Sequence, residues 1–227
     1  MEQKRSGFSL IELLMVLGVM TILMGMLIPS VGVVREKAQR MATGQKLRQI
    51  GIAVATYQSS TGRSLSGADL GDWMARLASE TGVRDGELYI FKEDPLLTQV
   101  TDEIPPVLVQ PDASGRWEEV QGFEDWPIGV AVVSGLSPMA NASTTPVAWT
   151  RGLEPNGRWQ GSDGNRPGIY GADGGYIVFL DGHIEFHKDL SRDGGRLVHH
   201  QTGTPTADIR EAIGPGAVVY DFLGKVF

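Results

Sequence analysis

From Phe8 to Ile28 the chain reads FSLIELLMVLGVMTILMGMLI, 21 residues among which only Ser9, Glu12 and Thr21 are polar. At about 1.5 Å of rise per residue such a helix is about 31 Å long, which matches a bilayer core of about 30 Å. The run is predicted to span a membrane. A cleaved secretory signal would instead have an apolar core of about 7 to 15 residues and end in a small-x-small site. Here the longer run leads into Pro29, Ser30 and Val31 to Val34 before Arg35, with no Ala-x-Ala sequence. Cleavage after the apolar run is not expected.

Three features in the run or just past it exceed what an anchor requires. A carboxylate at Glu12 costs a few kcal/mol at the bilayer centre and less near a helix end. Either Glu12 snorkels to the headgroups and complements the positive end of the helix dipole, or it meets a cation in an assembled state. Gly18, Gly25 and Gly32 recur every seven residues, so each is rotated by only about 20° from the last, and together they form a shallow groove along one face. Small residues let helices approach closely. Pro29 removes one backbone hydrogen bond and is expected to kink or locally melt the helix.

Composition divides the chain. Residues 1 to 60 hold 6 Gly and 1 Pro, whereas residues 61 to 227 hold 24 Gly and 11 Pro, a rod-like part followed by a turn-rich one. The chain has no Cys, which excludes a disulfide scaffold, a thiolate metal site and a catalytic thiol. With 20 Lys and Arg against 27 Asp and Glu, the net charge of −7 argues against binding nucleic acid, which needs a basic face.

Immediately before the run stands Lys4-Arg5-Ser6-Gly7, and across it Gly7-Phe8-Ser9-Leu10-Ile11-Glu12-Leu13. This resembles the class III signal of type IV pilins and type II secretion pseudopilins: a basic leader ending in Gly, then Phe, a hydroxyl or small residue, Leu-Ile, and Glu at the fifth mature position. Ser9 stands where Thr is commoner. The resemblance is nearest to the G-type pseudopilins. It implies a leader at residues 1–7, cleavage by prepilin peptidase between Gly7 and Phe8, and N-methylation of the new Phe8 amine. A residue without Cβ at the scissile bond suits close approach of a protease. The resemblance also supplies a cation for Glu12, the Phe8 amine of a neighbouring subunit, and places a Pro where Pro29 stands. Phe8, Glu12, Gly18, Gly25 and Pro29 are thus the expected assembly residues. It further implies an inner-membrane assembly platform, lipid around the helix before assembly, and a C-terminal domain outside the inner membrane. Charge alone leaves that orientation open, because Arg35, Lys37, Arg40, Lys46 and Arg48 follow the span.

The filament-core helix is read over residues 8–30 and continues as an amphipathic half over 31–60. Val34, Ala38, Met41, Leu47, Ile50, Val54 and Tyr57 there recur at helical spacing, as a lid for a sheet. Residues 61–227 form the globular domain. A helix is predicted at 67–81 with Ser66 as cap and Gly82 past its end. Strands are predicted at 88–91, 129–133, 147–150, 176–180, 183–187 and 217–220. Asp181-Gly182 suits a two-residue type I′ turn, which pairs Ile177 with Phe186 and Phe179 with Ile184. A similar Phe-Leu-Asp-Gly-His hairpin occurs in one group of pilin-like proteins, where a His stands upstream at the position of Gly171. The fold class is α+β, with a long N-terminal helix packed on a C-terminal antiparallel sheet.

Candidate chemistry is sparse. His183, Glu185 and His187 alternate onto one strand face and could hold a metal, although a solvated face gives the same pattern. Secretion-type major pseudopilins carry a calcium loop, and Asp163, Asn165 and Asp173 have suitable oxygens, although Asp and Asn are more often turn formers. Gly62-Arg-Ser64-Leu-Ser66 lacks the last Gly of a nucleophile elbow. No cofactor and no enzymatic activity are expected. The function expected is that of a filament subunit in a secretion pseudopilus, a pilus or a DNA-uptake filament. The rival is a periplasmic enzyme or binding protein on an uncleaved anchor.

Overall fold

The computed structural model describes residues 9–100, 103–191 and 196–227, and within these all side chains but those of residues 26–31, 33 and 99. The chain divides into two units, Met1–Ala42 and Thr43–Phe227. Helix α1, Leu10–Thr61, contributes to both. It is continuous through Pro29, so the melting foreseen there does not occur. A proline removes only its own bond to the carbonyl four residues back, and the neighbouring bonds of the same turn carry the helix through.

In the first unit the described apolar side chains of α1 lie exposed. Val34, Ala38 and Met41, foreseen as part of the lid, are exposed as well. The lid begins at Thr43: Leu47, Ile50 and Val54 are buried and Tyr57 is half-buried. It works through two glycines that the apolar pattern did not flag. A Cβ on Gly44 would lie 3.0 Å from Ile184 Cδ1, and one on Gly51 only 2.3 Å from Val178 Cγ2. Val178 is β-branched and stiff at χ1, so it yields little. Gly51→Val is therefore expected to destabilise the second unit by about 1 to 3 kcal/mol through overpacking. Gly18→Val, at a position with nothing within 4 Å of a new Cβ, should leave it unchanged. Urea midpoints of the two variants check this.

The turn-rich region builds a six-stranded sheet from β3 (Val130–Ser134), β4 (Pro146–Thr150), β5 (Gly175–Phe179), β6 (Ile184–His187), β9 (Val218–Asp221) and β10 (Gly224–Lys225). Its order is β10-β9-β3-β4-β5-β6 and every pairing is antiparallel. The four central strands run through the strands predicted near 129–133, 147–150, 176–180 and 217–220. Two short hairpins lie outside this sheet, β1 (Val109–Pro111) with β2 (Trp117–Glu119) and β7 (Leu197–Val198) with β8 (Pro205–Thr206).

Three local expectations are corrected. Helix α2 spans Leu70–Thr81 and its cap is Asp69, whose carboxylate accepts the Asp72 N–H at 2.8 Å, not Ser66. Ser66-Gly67 is instead drawn to the sheet, where Gly67 N–H donates to Ser134 Oγ at 2.9 Å. The predicted strand 88–91 starts as a helical turn, α3 (Gly86–Tyr89). Its Leu-Tyr-Ile-Phe run is buried on all sides, so no periodicity could separate strand from helix. In the β5–β6 hairpin Tyr176 faces Phe186 and Val178 faces Ile184, one residue away from the predicted register. The loop has three residues, Leu180-Asp181-Gly182, with Gly182 at φ 85° and Phe179 N–H donating to His183 O at 3.0 Å. Leu180 and Asp181 also donate their N–H groups to Thr145 O and Ala142 O, which favours this bulged turn over the tighter one.

A short helix α4 (Ile209–Ile213) packs on β7, capped by Asp208, which accepts the Arg210 N–H at 2.9 Å.

Candidate functional site

The expected processing residues Gly7 and Phe8 lie outside the described residues. Described structure begins at Ser9, and the first turn of α1 is already organised there. Glu12 N–H and Leu13 N–H donate to Ser9 O at 3.1 and 3.2 Å, while Ser9 N–H donates to Glu12 Oε2 at 2.9 Å. The glutamate reaches back three residues to satisfy an N–H that the helix leaves without a partner, as in one half of a capping box. The spacing Ser9-x-x-Glu12 is the sequence signal for this bond, and the sequence reading did not use it.

From Leu13 to Met24 the helix is apolar on every face, with Thr21 its one polar residue. Leu10 is 81% exposed and Met24 63%, and the large apolar residues between them are comparably open. A helix with no polar side has no place at a water-facing surface; it needs lipid or other helices around it. Thr21 fits that environment, since its hydroxyl donates to Leu17 O at 2.7 Å within the helix. A Cβ at Gly18, Gly25 or Gly32 would meet nothing within 4 Å, which leaves the expected groove open. Among the described residues no helix is long and apolar enough to cross a membrane. The side chains described without a break from Leu10 to Gly25 cover about 24 Å, short of the bilayer core of about 30 Å, and the expected span Phe8 to Ile28 exceeds them at both ends.

Residues 3–28 match the family profile of the prokaryotic N-terminal methylation motif. The match covers the N-terminal segment in which the resemblance to type IV pilins was read, and it supports that resemblance. No curated protein and no solved structure matches the chain. The α+β order, a long N-terminal helix followed by an antiparallel sheet, is consistent with a pilin-like fold.

In the globular unit the two sets of residues weighed above as metal ligands do not come together. Among the described residues no three His, Asp or Glu side chains come together as metal ligands. His183 is taken by Asp181 through its Nδ1 and stacks on Phe179 at 4.2 Å between ring centroids. Asp163, Asn165 and Asp173 are exposed, and Asp163 accepts from the Ser162 hydroxyl at 3.0 Å. His187 Nε2 lies 3.0 Å from Glu185 Oε2, without hydrogen-bond alignment.

Burial pushes the His187 imidazole below its usual range, against the opposing effect of Glu185, and Arg196 adds to the lowering. A histidine held neutral by the fold takes up a proton more readily when unfolded. Its contribution to stability is complete above about pH 6.5 and is lost as pH falls below that toward the folded-state value. The urea midpoint of the globular unit is expected to drop between pH 7.5 and 5.5, and His187→Gln should flatten that dependence.

One ion pair in this unit left no signal in the sequence. Arg151, at the end of β4, donates to both carboxylate oxygens of Asp94 at 2.6 and 2.8 Å, and both side chains are fully buried. Arg151 also donates to Pro167 O at 2.9 Å and to Ile128 O at 3.1 Å, and its guanidinium lies 4.9 Å from the centre of the Phe222 ring. Asp94 in turn accepts the Leu96 N–H at 2.9 Å. Five separate segments thus meet at one buried cation.

A cleft of about 410 Å³ opens on the sheet, lined by Trp149, Glu154, Gln160, Arg166 and Arg210 among others. Its charged groups are engaged internally: Arg166 with Asp221, Arg210 with Asp208, and Glu154 with Asn156 and Gln160.

Proposed function

We propose that the chain is a structural filament subunit, cut by prepilin peptidase between Gly7 and Phe8, held by α1 in the inner membrane, and assembled into a type II secretion pseudopilus or a type IV pilus-like filament. The globular unit faces the extracytoplasmic side and has no enzymatic role. The observation that carries this reading is the apolar surface of α1, open on all sides from Leu10 to Met24, with one carboxylate at its first turn. Lipid covers that surface before assembly, and the helices of neighbouring subunits cover it afterwards. Glu12 gives the packing a register, because a buried carboxylate needs a cation at one height only, and the Phe8 amine of the next subunit provides it. The inward engagement of the cleft's charges supports a structural domain over the rival reading of an anchored enzyme or binding protein.

The test is the mature N-terminus. After co-expression with a prepilin peptidase, intact-mass and N-terminal peptide analysis should find a chain that starts at Phe8 and carries one added methyl group. A chain that keeps Lys4 and Arg5, or one cut beyond Val34, contradicts the proposal and points to an uncleaved anchor or an ordinary secretory signal.

A further inference from the structure

The loop between β3 and β4 presents Asn141-Ala142-Ser143, a sequence of the form Asn-x-Ser with no Pro at the middle position. All three residues are exposed, next to Met139, which is 92% exposed at the same loop. The side chains are already arranged. Asn141 Oδ1 accepts the Ser143 N–H at 3.0 Å and the Ser143 Oγ–H at 2.9 Å. The loop is pinned beneath them: Thr145 N–H donates to Asn141 O at 3.0 Å and Asp181 N–H to Ala142 O at 2.9 Å. The carboxamide is therefore displayed by the folded domain without any need for unfolding.

We propose that Asn141 is an acceptor for N-linked glycosylation, taking an oligosaccharide from a lipid-pyrophosphate donor on the extracytoplasmic side. An amide nitrogen is a poor nucleophile because its lone pair is delocalised into the carbonyl. Loss of one Nδ2 proton to a base of the transferase moves negative charge onto Oδ1, where the two Ser143 donors converge in the manner of an oxyanion hole. Nδ2 then forms a bond to the anomeric carbon of the first sugar. The bond from that carbon to the pyrophosphate oxygen breaks, and the lipid pyrophosphate leaves with the electron pair. Ala142 at the middle position offers no obstruction. A cleft of about 330 Å³ beside Asn141, lined by Thr144, His200 and Gln201, gives the first sugar polar partners.

The inference depends on the globular unit lying outside the inner membrane, as proposed above. The experiment is intact-mass and glycopeptide analysis of the full chain from membranes of its native host, for the wild type and for Asn141→Gln, Ser143→Ala and Ser143→Thr. Expected is a saccharide mass on the peptide containing Asn141, absent in Asn141→Gln, lost or at least tenfold reduced in Ser143→Ala and retained in Ser143→Thr. An unmodified Asn141 in the wild type overturns the proposal, as does a mass increment that survives Asn141→Gln. The same spectra report whether the chain starts at Phe8, so failure of the maturation reading shows separately.

Discussion

Arg151→Met is expected to destabilise the globular unit by about 3 to 5 kcal/mol, because it leaves the Asp94 carboxylate buried without its cation. Domains of this size are stable by about 5 to 15 kcal/mol in total, so the variant is expected to be marginal and to populate unfolded chains measurably at low urea. The mechanism is distinguishable from simple loss of packing. In Arg151→Met with Asp94→Leu no buried charge remains, and a well-packed apolar pair is often as stable as the ion pair it replaces. Recovery is expected to be partial here. The Pro167 and Ile128 carbonyls lose their donor, at about 1 to 3 kcal/mol for each buried group left unsatisfied, and the Leu96 N–H loses its acceptor. Urea denaturation of the wild type, both single variants and the double variant gives the coupling energy directly. A double variant no more stable than Arg151→Met would mean that the carbonyl bonds, and not the charge pair, hold the five segments together.

Glu12→Ala is expected to leave membrane insertion and cleavage intact and to abolish filament assembly. Insertion should improve, since a carboxylate is unfavourable at membrane depth. Assembly would bury the Phe8 amine of the neighbouring subunit unpaired, at about 3 to 5 kcal/mol for each subunit added. The bond from Ser9 N–H to Glu12 Oε2 supplies a control. Glu12→Gln can still accept that hydrogen bond but carries no charge, so it keeps the first turn of α1 and removes only the attraction between subunits. Glu12→Asp keeps the charge with a reach shorter by one methylene and should fall between. The measurement is the sheared-filament fraction relative to membrane-bound subunit. Assembly of Glu12→Gln at wild-type levels would show that Glu12 serves the first turn alone.

Much of the architecture was legible because it depends on local patterns. The apolar run, the 3.6-residue spacing of Leu47, Ile50 and Val54, and the β-branched segments near 130, 147, 177 and 218 each report a face or a length. What could not be read rests on partners remote in sequence. The hairpin register turns on bonds from Leu180 and Asp181 to residues of the 142–145 loop, which no inspection of the hairpin alone reveals. Asp69 displaced Ser66 as the cap because Ser134, over 60 residues away, claims Gly67. Asp94 and Arg151 are 57 residues apart and resemble any other charges until the fold buries them. In the assembly segment, Glu12 stood out as a carboxylate in an apolar run. Its bond to Ser9 could have been inferred from their spacing; the expected cation could not, because the resemblance places it on another molecule.

Gly44 and Gly51 bring α1 so close to Tyr176, Ile184 and Val178 that backbone and side chain meet without a cushion. The two positions are seven residues apart, about 10.5 Å along the helix. Tension applied along α1 therefore enters the sheet as shear, shared between two points of tight steric engagement, and not as a peeling force that opens one contact at a time. Leu47 and Ile50 fill the interval and are fully buried, so sliding the helix would have to expose both together. Under such a load the seat of α1 on the sheet would yield late, and the force would be passed on to the strands.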